Sequence, residues 1–276
     1  MSIYTGVGSK ARQVSKLYVG VGGKARQVTK AYVGVGGKAR LIYNYGTPLS
    51  SLAVGTEVYA LQATDGTFTP VGIPFVIVHQ GNPDSSIYDA SCNGTWLMQV
   101  DSYHAQKFNG NARNSAYAES TVHSFLNGSF LAEYNSDFQN SVKQVKIPYL
   151  TISGYYNLNV QKGANGLSTK CFLPSAAELG FVGTNYLTAG EGAKLAYFKN
   201  CAEDGADDRR VLRVNGKTTC WWTRSACSRI KGIVFSVLTN GNIAGSDYTN
   251  DRLFQLRPIV ILNSSACVDE QYFIIG

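Results

Sequence analysis

Trp221-Trp222-Thr223-Arg224-Ser225 and Leu256-Arg257-Pro258-Ile259-Val260-Ile261-Leu262 decide how this chain is read. Each is a short apolar stretch rich in aromatic or β-branched residues, the composition of a buried strand. Alternation along a strand puts Trp221 and Trp222 on opposite faces, one toward the core and one under a loop. Arg224 and Arg257 read as structural supports. A guanidinium beside a core needs carboxylate or carbonyl acceptors and can tie a long loop to a sheet.

Between these anchors, the runs 226–231 and 247–254 keep a period of neither 2 nor 3.6. Their aromatic, arginine and small polar residues have the composition of a paratope. The candidate ligand contacts are therefore Cys227, Ser228, Arg229, Ile230, Lys231, Tyr248, Thr249, Asn250, Asp251, Arg252 and Phe254. Trp221, Trp222, Arg224 and Arg257 form the frame that carries them.

Working outward, strands are expected at Glu57–Leu61, Ile73–His79, Thr95–Val100, Val211–Val214, Val234–Leu238 and Gln271–Ile275. Ser120 is a capping residue before Val122, Phe125 and Leu126 at helical spacing, and Asn127-Gly128 reads as the stop. Ser175 and Glu178 form a capping box, predicting a helix of one or two turns. Ala193–Phe198 is a third helical candidate. With Pro48–Thr56 read as a linker, residues 47–276 form one α+β domain behind an N-terminal segment, 1–46.

That segment is a repeat. Tyr4, Tyr18 and Tyr32 open three copies of a 14-residue unit, the second reading Tyr-Val-Gly-Val-Gly-Gly-Lys-Ala-Arg-Gln-Val-Thr-Lys-Ala. Two alternating runs around Gly22-Gly23 predict a β-hairpin, too small to bury its own apolar face. A phosphate-binding loop is excluded, because Ala follows the Lys in every copy and the upstream Gly is missing. Residues 1–46 hold eight Lys or Arg and no acid; the rest hold 17 basic and 18 acidic groups, a net of −1. The overall +7 thus belongs to the repeat, and charge gives the main domain no support for nucleic-acid binding.

No apolar run approaches the roughly 18 residues of a membrane span, and the first residues lack a signal-peptide layout. Synthesis in a bacterial cytoplasm and six free, mostly buried thiols are expected. His79, His104 and His123 stand far apart with no catalytic neighbour. The acidic run 203–208 lacks the ligand spacing of a calcium loop. Asn82-Pro83-Asp84 lies in the wrong half of the chain for a calcium-lectin triplet. No catalytic residue, metal site or cofactor is expected.

An ordered set of motifs resembles a family of uncharacterised proteins from gut bacteria and their phages. The motifs are Ile73–Val78, Ser120–Phe130, Lys170–Gly180, Trp221–Ser225, Asn240–Ile243 and Leu256–Leu262. That family looks like a C-type-lectin-like fold of the formylglycine-generating-enzyme type, shared with phage tropism proteins whose C-terminal part a retroelement diversifies. Gln255 departs from the Gly that relatives tend to show there. The repeat resembles a module at the front of bacteriophage structural proteins. The resemblance implies a virion receptor-binding protein at a tail or fibre, homotrimeric, non-enzymatic, contacting other virion proteins and a host-surface protein or glycan, without membrane insertion. A purely structural virion subunit and a formylglycine-generating-type enzyme are the alternatives.

Overall fold

The β-branched and aromatic stretches form ladders in the computed structural model. It describes residues 4–275 except 8–9, 14–16, 29, 36–37, 45, 64–71, 103, 111–113, 154–156, 182–186, 188, 204 and 229. Ten strands build two main sheets: β1 (Glu57–Leu61), β2 (Gly72–Gly81), β3 (Gly94–Gln99), β4 (Ala105–Gln106), β5 (Cys171–Phe172), β6 (Trp221–Ala226), β7 (Ile233–Val237), β8 (Ile243–Tyr248), β9 (Phe254–Gln255) and β10 (Ile259–Leu262). The first sheet has the order β5-β10-β3-β2-β1 and is antiparallel throughout. The second has the order β4-β9-β6-β7-β8, with one parallel contact, Trp221 opposite Gln255.

The first sheet is covered on both faces, which explains its unbroken apolar runs. Phe75–Val78 and Ile259–Leu262 are buried at every position. Phe75 meets Tyr134 and Phe138, with ring centroids 5.9 and 5.5 Å away. Trp96 packs edge-on to Tyr88 and Phe172, and its Nε1–H donates to the carbonyls of Gly81 and Cys92.

Strands occupy 40% of the chain and helical turns 17%. The α+β class and the C-type-lectin-like architecture expected from the sequence are therefore corrected: the protein is mainly β, built from small sheets. The helical signals are real but short. Ser120 accepts from the His123 N–H and starts α1 (Thr121–Phe125). Asn127-Gly128 does not stop it; the chain continues through a π-helical turn, Leu126–Phe130. The Asn127 side chain is committed elsewhere. Its amide donates to the His123 and Cys171 carbonyls, and its Oδ1 accepts from Thr169 Oγ1, Lys170 N–H and Cys171 N–H. A second helix, α2 (Ser136–Ser141), starts at an Asn135 cap that sequence reading passed over. Ser175 and Glu178 exchange both capping-box bonds, yet the chain only turns there before Gly180 at φ +85°. Ala193–Phe198 reduces to one 3-10 turn, Ala196–Phe198.

The stretch read as a linker is packed. Thr47–Pro48 pairs with Cys267–Val268, and Leu49 is buried. Ahead of it, three hairpins each form their own two-stranded sheet: Tyr4–Val7 with Lys10–Gln13, Leu17–Val21 with Lys24–Val28, and Lys30–Val35 with Lys38–Asn44. Gly22 and Gly23 turn the second at φ +59° and +76°, the double left-handed turn that matches strand twist. All six cysteines are free thiols. Among the described residues no helix is long and apolar enough to cross a membrane.

Candidate functional site

The two framed runs, on either side of the β7–β8 hairpin, meet at one end of the second sheet. The loop 227–232 joins β6 to β7, and the loop 249–253 follows β8. Ile233 pairs with Tyr248 in the ladder, and one residue further out Thr249 N–H donates to the Gly232 carbonyl at 3.0 Å. A third loop joins them: Asn109 N–H donates to the Thr249 carbonyl at 3.0 Å. Main-chain bonds thus fix three loops side by side.

The candidate contacts then divide by exposure. Ile230, Lys231, Asp251 and Arg252 are exposed, and Ser228, Tyr248, Asn250 and Phe254 are half-buried. Cys227 and Thr249 are buried, so their side chains support the loops from beneath. Cys227 packs with Ile233 and Phe235, with Tyr248 and Leu187 against them. Arg229 lies outside the described residues. Leu253, inside the second run but not singled out from sequence, is 66% exposed, and Ile230 is 42% exposed.

The frame lies wholly in the interior. Trp221 donates from Nε1 to the Arg210 carbonyl, and Trp222 to that of Gln106. Trp222 packs on Phe108, and Phe254 lies 4.7 Å from it across their ring centroids. Phe254 therefore joins the loop end of the second sheet to the core. Arg257 lies 5.6 Å above the Trp221 ring and donates to the carbonyls of Gln99 and Arg209. Burial lowers its pKa to about 10.

Arg224 anchors a polar cluster. The β6–β7 register slips between Trp222 and Ala226, where three residues on one strand stand opposite one on the other. This bulge turns Arg224 and Ser225 out of the ladder, and Arg224 N–H donates to the Pro174 carbonyl. The Arg224 guanidinium then bonds Glu178 twice, at 2.6 and 2.8 Å, and the Leu173 and Glu191 carbonyls. Tyr88 Oη donates to Glu178 Oε1 at 2.7 Å, and Ser225 Oγ bonds Glu191 Oε2. Arg224 Nε stands 3.8 Å from Glu191 Oε1. All five side chains are buried. Burial pushes the Glu191 carboxyl up to about 7, with Arg224 and Ser225 pulling it down less strongly. Tyr88 and Glu191 were not found from sequence, because nothing local to either names its partner. The cluster's side chains bond one another and nearby carbonyls, so it ties the loop around Glu191 to the second sheet.

Other candidates are occupied or unreactive. Asp207 of the acidic run accepts from Arg209 N–H, Nε and Nη2, which holds its carboxyl well below the usual range; Asp204 of that run lies outside the described residues. Burial raises the thiols of Cys92 to about 12 and Cys201 to about 11, and that of Cys171 well above its usual value, so all three stay protonated near neutral pH. Among the described residues no group of three or more His, Cys, Asp and Glu is placed to hold a metal ion. A polar cleft of about 580 Å³ opens at one end of the first sheet's inner strands, lined by Ser50, Gln80, Asn93, Thr95, Lys143 and Asn263. Its polar groups are largely engaged: Gln80 donates to the Leu49 and Leu52 carbonyls, Thr95 donates to Gln80, and Lys143 donates to the Asn93 carbonyl.

No curated protein and no solved structure matches the chain. One family does, described as a domain of unknown function (DUF6273), over residues 93–264. That span takes in the frame, the second sheet and the polar cluster apart from Tyr88, and leaves out the hairpins. It covers more than half of the sequence, and the chain belongs to the DUF6273 family.

Proposed function

We propose that the protein is a non-catalytic binding protein whose contact surface is the end of the second sheet formed by loops 227–232 and 249–253. One observation carries the reading. Two loops flanking the β7–β8 hairpin are held together by main-chain bonds and present Ile230 and Leu253 to solvent. Exposed large aliphatic residues on adjoining loops, rimmed by Lys231, Asp251 and Arg252, have the make-up of a recognition patch. The buried frame supports it without sharing its chemistry. The resemblance of the repeat to phage structural modules favours a receptor-binding protein on a virion, with a host-surface protein or glycan as ligand.

The test uses the fluorescently labelled full chain on a panel of bacterial cells. Ile230→Asp with Leu253→Asp is expected to lower the bound signal about tenfold or more on responsive strains, the scale of losing two apolar contacts. The unfolding temperature should barely move. Unchanged binding on every strain would sink the proposal.

A further inference from the structure

We propose that segment 189–194 is a proton-controlled clip: Glu191 holds it on the second sheet while its carboxyl is protonated and lets it swing out when the carboxyl ionises. The clip works whether or not the loop end of that sheet binds a ligand.

One guanidinium serves two buried carboxyl groups. Glu178 takes the full pairing. Its Oε1 accepts from Tyr88 Oη and Arg224 Nη2, and its Oε2 accepts from Arg224 Nη1 and the Ser175 N–H. Glu191 is left with little. Its Oε2 meets Ser225 Oγ. Its Oε1 has no hydrogen-bond partner among the described residues and stands 3.8 Å from Arg224 Nε, which has none either. On the segment itself, Lys194 reaches away to the Cys201 carbonyl. Tyr88 adds no charge, because burial raises its phenol well above the usual value. With Arg224 matched to Glu178, an ionised Glu191 puts an uncompensated charge in the interior. A proton on Glu191 removes that charge, and burial accordingly raises its carboxyl to about 7.

The same side chains hold the segment's backbone. Arg224 Nη2 donates to the Glu191 carbonyl at 2.9 Å, and the Ala193 N–H donates to Tyr88 Oη at 3.1 Å. Among the described residues, 189–194 belongs to no strand or helix. Ala189 is exposed and Gly190, Gly192, Ala193 and Lys194 are half-buried, so Glu191 is the residue driven inward from a surface segment. Glycines flank it on both sides. Gly190 sits at φ +89°, a conformation suited to a pivot. Gly192 passes so close to the cluster that a Cβ there would stand 2.9 Å from both Tyr88 Oη and Glu178 Cγ. Beyond them Leu195 is the fixed end, fully buried with its N–H on the Glu178 carbonyl. Four residues before Glu191, Leu187 packs against the group of Cys227, Ile233 and Phe235. Opening the clip loosens the surface beside that group and leaves Arg224 on Glu178.

The Glu191 carboxyl has its raised pKa only in the closed state. Closure is therefore fully favoured below about 4.5 and loses that support as pH rises through about 7. The experiment measures backbone hydrogen exchange of the isotope-labelled full chain by magnetic resonance, with protection corrected for the intrinsic rate at each pH. Protection of the Ala193 amide is expected to fall about 20-fold between pH 5.5 and 8. In Glu191→Gln it should change by less than about twofold. Tyr88→Phe removes the acceptor of the Ala193 N–H, so it should lower protection at both pH values and keep the fall. At each pH the Ala193 amide should be about tenfold or more less protected than the β10 amides, which report opening of the whole fold. Equal protection at the two sites would mean that the segment opens only when everything does, and would overturn the proposal. So would pH-independent protection of Ala193 in the parent chain, or an undiminished fall in Glu191→Gln.

Discussion

Replacing Glu191 with Gln should remove one component of the pH dependence of stability. In the folded chain the buried Glu191 carboxyl faces Arg224 and Ser225, with Glu178 nearby, and it titrates at about 7 against an ordinary 4.5. Between those values the folded state holds a proton that the unfolded chain has released. Stability from this group is full below about 4.5 and is lost as pH rises through about 7. The gap corresponds to roughly 3 kcal/mol. Glutamine has nearly the shape of the protonated acid, so Glu191→Gln should lie within about 1 kcal/mol of the parent chain near pH 4.5. By pH 8 it should be the more stable by a few kcal/mol. The assay is chemical unfolding of both proteins at steps of pH from 4.5 to 8. His79 and His123, whose pKa values burial lowers, tilt the parent curve the opposite way; the difference between the two curves removes their effect. A flat difference curve would show that Arg224 keeps Glu191 ionised throughout and would refute the reasoning.

Three further outcomes follow from packing. Trp222→Ala removes a fully buried ring on which Phe254 rests; it should cost about 3–5 kcal/mol in denaturant unfolding and weaken ligand binding as well. Asn127→Ala breaks five hydrogen bonds, four of them joining the helical segment to residues 169–171 and one within the segment to His123. A loss near 3 kcal/mol is expected, and one below about 1 kcal/mol would count against the hub role. Gly94→Ala places a Cβ 2.4 Å from the Leu262 carbonyl oxygen, between two paired strands, and should lower stability by about 1–3 kcal/mol in a thermal melt.

The strands were the legible part of the fold, because β-branched runs such as Ile73–Val78 and Ile259–Leu262 leave little room for another reading. Helix content was overestimated for a definite reason. Capping residues report hydrogen bonds, and those bonds can close a single turn as well as start a helix. Ser175 and Glu178 make their reciprocal bonds, but Glu178 also receives Arg224 and Tyr88, and Gly180 takes the chain away. Asn127-Gly128 looked like a stop because Asn favours helix ends; here its amide is spent on a neighbouring strand. The frame residues could be named from sequence because large aromatics and lone arginines in apolar runs have few other uses. Glu191 could not, because its partners come from distant segments brought in by the β6 bulge. The splitting of the display runs into exposed and supporting residues also depended on tertiary contacts, which buried Thr249 and left Leu253 outside.

The bonds that hold the three loops of the display end together run from backbone to backbone: Thr249 to Gly232, Asn109 to Thr249, Cys227 to Ile233. Such bonds are blind to side-chain identity. Substitutions at Ile230, Lys231, Asp251 or Leu253 leave every one of them intact, and exposed positions of this kind typically shift stability by no more than about 0.5 kcal/mol. The molecule's thermodynamic reserve lies instead in Trp221, Trp222, Arg224 and Arg257, beneath the loops. Side chains at the rim can therefore change without drawing the fold toward its unfolding threshold.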